Sequence, residues 1–178
     1  MRPVLAALLL VLAATGIRAE APPEPDDYRQ EDYRSPTPAT LRGATVVSTP
    51  QAEALWRAGA AFVDVLPRPP RPTALPPGTI WRDAPHDSIP RAHWLPNTGF
   101  GALAPQTEAY LRHGLATATG GDPGRPVVIF CQRACWMSWN AARRALALGY
   151  RHVHWYPEGS DGWGEAGLPL ERASPAAP

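Results

Sequence analysis

The chain has 178 residues, of which 44% are hydrophobic, and its formal net charge is +1. This length fits one domain with appendages, and the charge excludes the basic surplus that a nucleic-acid-binding surface requires. The 23 prolines are clustered, so part of the chain is predicted to lack regular structure.

The first residues are typical of a secretory signal peptide. Arg2 precedes an unbroken apolar run from Val4 to Ala14, and Ala19 offers a small residue for cleavage. The run is too short to span a bilayer, which needs about 20 residues. We therefore predict a signal peptide over residues 1–19, and export with no membrane association after cleavage. An uncleaved anchor and a buried helix are the alternatives.

Residues 20–42 form a polar segment with several prolines, called here the arm. Its sequence offers little apolar surface to offset the entropy lost on ordering. The arm is predicted to be a linker, or a strap lying on the domain through Tyr28 and Tyr33. Because it contains no evident core residues, we expect it to be dispensable for folding.

Strand and helix patterns alternate after the arm. A proline-rich surface loop is predicted at 66–88, and the cluster from Glu158 to Gly162 is interpreted as a turn. Alternating strands and helices predict an α/β domain with a parallel sheet and helices on its faces. The strands are predicted at 44–48, 61–65, 92–95, 126–130 and 152–155, and the helices at 50–58, 106–116 and 138–148.

The two cysteines of the chain, Cys131 and Cys135, lie in the loop after the apolar strand 126–130. Ligands of open α/β sheets bind where strands end and helices begin. Unpaired N–H groups and the helix dipole there favour an anion such as a thiolate. Cys131 is therefore predicted to be a nucleophile with a depressed pKa.

Four segments carry a resemblance to rhodanese-like domains: Ile89–Pro96, Phe62–Val65, the strand, cysteine loop and helix at 127–148, and the segment 155–170. The resemblance covers about residues 43–172 and leaves a tail at 173–178. It implies a single domain with a central, mostly parallel five-stranded sheet flanked by helices, and the cysteine loop at a strand's C-terminal end. It also implies that Cys131 is the position where a persulfide forms.

Within that superfamily, the segment from Cys131 to Ala142 resembles an exported family with a CXXCW motif, associated with catabolism that depends on pyrroloquinoline quinone (PQQ). The spacing here is C-x3-C-W. The resemblance implies a periplasmic protein whose partner is a small sulfur or thiol substrate, or a protein of a quinoprotein dehydrogenase system. We assign no cofactor to the chain itself.

The active-site loop departs from the rhodanese pattern, which often reads C-R-x-G-x-R. No arginine occupies the late position that would bind a substrate oxyanion, so weak turnover of thiosulfate is expected. The predicted active-site loop comprises Gln132, Arg133, Ala134, Trp136, Met137 and Ser138.

Three interpretations of the cysteine pair remain open. Residues four apart in helical geometry have Cα atoms about 6 Å apart, within disulfide range. The pair can be an inert disulfide, or a catalytic pair in which Cys135 resolves the intermediate on Cys131. A Cu(I) site with Met137 or a nearby histidine is the minor alternative, and we assign no metal ligands.

Four further residues are candidates for supporting roles. Asp64 ends a strand at the same edge, where it can orient the loop or bond its backbone N–H groups. His154 lies on the strand after the cysteine helix and can approach the loop. Arg133 can stabilise the thiolate or be solvated, and Trp136 is either a docking surface or part of the core.

Two functions from different classes follow. The first is a periplasmic thiol enzyme, a sulfurtransferase or redox protein that acts through Cys131 and Cys135. The second is a non-catalytic accessory or binding module in which the two cysteines form a structural disulfide.

Overall fold

The computed structural model describes residues 21–178. The predicted signal peptide lies outside the described residues. Within the described part of the chain, no helix is long and apolar enough to cross a membrane.

Five parallel strands form the central sheet: β1 (Thr45–Val46), β2 (Ala61–Asp64), β4 (His93–Trp94), β5 (Val127–Phe130) and β6 (Val153–Tyr156). Their order across the sheet is β1-β6-β5-β2-β4. The middle strands β5 and β2 are fully buried, as their runs of apolar residues predict. This confirms the predicted α/β class and the mostly parallel five-stranded sheet.

Four helices within residues 21–178 cover the sheet. Their bounds follow local signals, since Pro50 and Pro105 lie at helix starts and Gly120 ends a helix with φ +67°. The helices are α1 (Thr49–Arg57), α2 (Pro105–Thr119), α3 (Trp136–Ala147) and α4 (Gly159–Glu165). The turn predicted at Glu158–Gly162 is wrong, because Gly159 to Gly162 lie in α4 and Glu158 is its N-cap residue.

A second, two-stranded sheet joins the proline-rich loop to the end of the domain. Strand β3 (Asp87–Ser88) pairs antiparallel with β7 (Glu171–Arg172). The tail continues beyond β7 and covers the free edge of β4, where the Ala176 N–H donates to the Trp94 carbonyl at 2.8 Å.

The sheet separates two cores. Val63 and Ile129 point to the side covered by α2 and α3, together with Cys131. Phe62 and Phe130 point to the other side, covered by α1 and α4. Because side chains alternate along a strand, the face of each candidate residue follows from its register.

The arm packs on the face covered by α2 and α3. Leu41 is 4% exposed and belongs to that core, and Tyr33 packs against it. The indole of Trp139 donates to the Thr40 carbonyl at 3.2 Å. The expectation that the arm contributes no core residue is wrong, because Leu41 follows a polar stretch and its burial depends on contacts distant in sequence.

Candidate functional site

Cys131 directly follows β5, and Cys135 is the N-cap residue of α3. The two form a disulfide with a Cα–Cα distance of 6.3 Å. The predicted separation is correct, but the predicted helical geometry is wrong. Cys135 is extended and Ala134 is left-handed, with φ +52°. Helix α3 begins at Trp136 rather than Ser138, so Trp136 and Met137 belong to its first turn and not to the loop.

On one side the cysteine loop is held by the start of α4. The Ser160 N–H donates to the Cys131 carbonyl at 2.9 Å, and Gln132 forms an isolated antiparallel bridge with Gly159. A β-carbon at Gly159 would overlap with the Cys131 carbonyl oxygen. The sequence signal for this contact is the glycine itself, which has φ +54° and permits the close approach of two backbones.

On the other side the loop is covered by the arm. The backbone N–H of Trp136, at the N-terminus of α3, donates to the Tyr33 carbonyl at 2.9 Å. The Trp136 indole donates to Ser35 Oγ at 3.0 Å, and Arg34 donates to Gln132 Oε1 at 2.9 Å. The arm thus occupies an N–H group that the sequence pattern predicts to favour an anion.

The disulfide is inaccessible in this arrangement, since Cys131 is 1% exposed and Cys135 is 2% exposed. Trp136 is 3% exposed, so it packs in the core and offers no free docking surface. Ser138 Oγ donates to the Cys135 carbonyl at 3.0 Å and accepts from the Trp155 indole at 3.0 Å. These contacts fix the first turn of α3 against the sheet.

Arg133 is paired with two carboxylates. Its Nε lies 2.5 Å from Glu158, and its terminal nitrogens donate to Glu165 at 2.6 and 2.7 Å. The hydrogen bonds to Glu165, and then those to Glu158, raise the pKa of Arg133 above its ordinary value. The Arg133 side chain is 42% exposed, so it is solvated, and its charge is paired with the carboxylates of Glu158 and Glu165.

Asp64 is buried at the end of β2 and accepts three hydrogen bonds. Its Oδ1 accepts from the Leu66 N–H at 2.8 Å, a backbone group of the proline-rich loop and not of the cysteine loop. Its Oδ2 accepts from Ser88 at 2.6 Å and lies 2.7 Å from His86 Nε2. Asp64 is in register with Phe130, so it lies on the opposite face from Cys131 and orders the start of the proline-rich loop.

His154 is also on the opposite face. It pairs in register with Val128 of β5, three residues before Cys131, and Val128 belongs to the core under α1 and α4. Burial, and to a lesser extent the charge of His152, lowers the pKa of His154. The structure therefore does not bring His154 to the cysteine loop.

Asn140 is a residue of this region that sequence reasoning missed. It is fully buried in α3, and its side chain donates to the carbonyls of Arg29 and Gly99 at 2.9 Å. Its Oδ1 accepts the Arg29 N–H at 2.9 Å. The only feature of the sequence that could have identified Asn140 is that it is a polar residue within the predicted helix 138–148.

Residues 21–178 contain no group of three or more histidine, cysteine, aspartate or glutamate residues arranged to hold a metal ion. Of the larger surface cavities, one of about 650 Å³ reaches Arg133 and Glu158. Another of about 620 Å³ lies between the proline-rich loop and α2, lined by Arg71, Trp81 and Phe100 among others. Neither is lined by a cysteine.

The chain is similar to two solved structures of sulfurtransferases. One is the polysulfide-sulfur transferase of Wolinella succinogenes, at 21% identity and a TM-score of 0.46, covering 74% of this chain and 81% of that one. The other is a thiosulfate sulfurtransferase of Pseudomonas aeruginosa, at 20% identity and a TM-score of 0.49, covering 75% of this chain but only 21% of that one. No family model and no curated protein matches the chain.

Proposed function

We propose that this protein is a rhodanese-like thiol protein in which reduced Cys131 is the nucleophile and Cys135 is the resolving thiol. The observation that carries the proposal is the placement of the two sulfurs. Cys131 ends a buried strand and Cys135 caps the following helix, within disulfide distance. A thiolate at such a strand-to-helix junction is stabilised by backbone N–H groups and the helix dipole.

The pair supports two related reactions. In redox chemistry, the Cys131 thiolate attacks a substrate disulfide and forms a mixed disulfide, releasing one substrate thiolate. Cys135 then attacks Cys131 Sγ, releases the second thiolate and closes the Cys131–Cys135 disulfide. In sulfur transfer, the Cys131 thiolate attacks a polysulfide, an S–S bond of the polysulfide breaks, and Cys131 keeps one sulfur as a persulfide while a polysulfide one sulfur shorter leaves. Attack by Cys135 then releases hydrogen sulfide and leaves the same disulfide.

Thiosulfate is a poor candidate donor for this site. Rhodanese chemistry on thiosulfate calls for a cation that binds the sulfonate oxygens, and the loop's cation, Arg133, is held by Glu158 and Glu165. The adjoining first turn of α3 consists of the buried residues Trp136 and Met137. A donor without sulfonate oxygens, such as a polysulfide or an organic disulfide, does not require that cation.

The proposed setting is the periplasm, alongside a quinoprotein dehydrogenase system. Support comes from the sequence alone: the signal-peptide pattern of residues 1–19 and the resemblance of the segment starting at Cys131 to the CXXCW family. Oxidising compartments permit a disulfide, which is the form of the cysteine pair in the structure.

Alkylation of the reduced protein tests the proposed nucleophile. At mildly acidic pH, iodoacetamide is expected to label Cys131 before Cys135, as read by peptide mass spectrometry. After incubation with polysulfide, Cys131→Ser is expected to carry no persulfide. Cys135→Ser is expected to retain the persulfide but to release little hydrogen sulfide. Equal labelling of both thiols, with no persulfide on either, would refute the proposal.

The second candidate function is a non-catalytic accessory module with a structural disulfide. The burial of both sulfurs favours it, because neither is accessible in the structure. Its weakness is the short separation of four residues. Closing so small a loop in the unfolded chain stabilises a protein by about 2 kcal/mol, less than longer loops do. If reduction lowers the free energy of unfolding by no more than this and the freed thiols are unreactive, the accessory module is favoured over the thiol enzyme.

A further inference from the structure

We propose that residues 29–35 of the arm form a gate over the disulfide, which must open before a thiol can attack Cys131 or Cys135. Its biological role, controlling access to the proposed thiol site, rests on the function proposed above. The gate itself is a physical property of the chain and can be tested separately.

The first support is how the arm is held. Asn140 is fully buried, yet its amide forms two hydrogen bonds of 2.9 Å with the backbone of Arg29, one to the N–H and one to the carbonyl. A buried amide whose partners leave is costly. Asn140 therefore stabilises the closed position of the arm specifically, since both groups that it binds on the arm belong to one residue.

The second support is where the arm lies. The Tyr33 carbonyl accepts the N–H of Trp136, the residue next to Cys135. Ser35 accepts the Trp136 indole N–H, and Arg34 reaches Gln132, the residue next to Cys131. The arm thus contacts the chain beside each cysteine, and both cysteines are at most 2% exposed.

The arm is a better candidate for movement than the other cover, α4. Helix α4 closely follows β6, and its Trp163 is 1% exposed in the core. Residues 21–44 contain no helix or strand, and 29–35 are held by separate hydrogen bonds. Leu41 is buried near the end of the arm, so it can keep residues 36–42 in place while 29–35 open.

Opening has a chemical consequence at the disulfide. When dithiothreitol attacks, its thiolate forms a mixed disulfide with one cysteine and the other leaves as a thiolate. The second thiol of the reagent then closes its own ring and frees the remaining cysteine. Release of the Tyr33 carbonyl frees the Trp136 N–H at the N-terminus of α3, which favours the departing thiolate. The same movement therefore exposes the bond and assists its cleavage.

The test measures the rate constant of disulfide reduction by dithiothreitol in the full chain, quenched with iodoacetamide and read by mass. Arg29→Pro removes the N–H that Asn140 accepts, and Arg29→Ala is the matched control that retains it. Ile89→Ala destabilises the core on the opposite face and controls for global unfolding. We expect reduction to be faster by roughly tenfold or more in Arg29→Pro, because a buried acceptor loses its partner.

Exchange of the Trp136 amide hydrogen is the second readout, and it is expected to accelerate in Arg29→Pro but not in Arg29→Ala. If Arg29→Pro does not unfold cooperatively, Arg34→Ala combined with Ser35→Ala replaces it, with faster reduction expected than in Ile89→Ala. Equal rates in the arm variants and Ile89→Ala would overturn the gate. If reduction is faster in the arm variants but iodoacetamide then labels Cys131 and Cys135 equally, the gate stands and the proposed function is overturned.

Discussion

Replacing Gly159 with alanine tests whether the contact between α4 and the cysteine loop positions that loop. The new β-carbon would overlap with the Cys131 carbonyl oxygen, lie 2.7 Å from the Cys131 carbonyl carbon and lie 3.0 Å from Gln132 Cα. All three atoms belong to the backbone, so no side-chain rotation relieves the overlap. We expect α4 and the loop to separate.

The magnitude follows from two contributions. A left-handed backbone costs a residue with a β-carbon about 1–2 kcal/mol. Separation also weakens the Ser160–Cys131 hydrogen bond and the Gln132–Gly159 bridge, each worth about 0.5–1.5 kcal/mol. The free energy of unfolding should fall by about 2–4 kcal/mol. For a domain of this size, the thermal midpoint is expected to fall by about 2–4 °C for each kcal/mol lost.

Gly167→Ala is the matched control. Gly167 follows the other end of α4 with φ +74°, and a β-carbon added there would meet no atom within 4 Å. It should therefore show the backbone cost alone, about 1–2 kcal/mol. Both variants are measured by urea unfolding and by the rate of disulfide reduction. An equal loss of stability in the two variants, with unchanged reduction, would refute the role of the contact.

Three further predictions concern other parts of the molecule. Asp64→Asn should lower the free energy of unfolding by about 2–3 kcal/mol in urea, because the bonds to His86 and Ser88 lose a charged acceptor; a loss below about 0.5 kcal/mol would contradict this. The pKa of His154 is lower in the folded protein than in the unfolded chain. As the pH falls below about 6.5, the unfolded chain binds a proton at His154 before the folded protein does, so the free energy of unfolding decreases until the pH passes the folded pKa. The thermal midpoint of His154→Gln should therefore depend less on pH in that window, and an unchanged slope would exclude this cause. Finally, the intact mass of protein from a periplasmic fraction should correspond to a chain that begins at Glu20, whereas retention of the preceding residues in washed membranes would contradict export.

The main strands could be predicted because their signal is local. Apolar runs such as 126–130 identify buried parallel strands, and Gly59 and Gly149 punctuate the neighbouring helices. The placement of Cys131 after a buried strand followed from the same pattern. Three elements escaped this reasoning, because β3 (Asp-Ser) and β7 (Glu-Arg) contain no apolar residue and α4 contains three glycines.

The surroundings of the cysteines could not be predicted, because their partners are distant in the chain. The N–H of Trp136, at the start of α3, donates a hydrogen bond to the carbonyl of Tyr33 in the arm. Because no residue near Trp136 in sequence indicates this contact, the sequence pattern places Trp136 in the loop. The pattern leaves Arg133 solvated or bound to a thiolate, because its partners, Glu158 and Glu165, lie just before and at the end of a helix that the sequence did not predict. The arm binds α3 partly through backbone carbonyl groups, which every residue has, so the amino-acid sequence does not identify them.

The docking of the arm also implies an order of events during folding. Arg29 and Asn140 are separated by 111 residues, whereas four separate the cysteines. The arm is made early, but its binding surface on α3 exists only after nearly the whole domain has been synthesised. Closure of a short loop costs less entropy than closure of a long one. Oxidation of the two thiols is therefore expected to precede docking, so that the chain closes over a bond already formed.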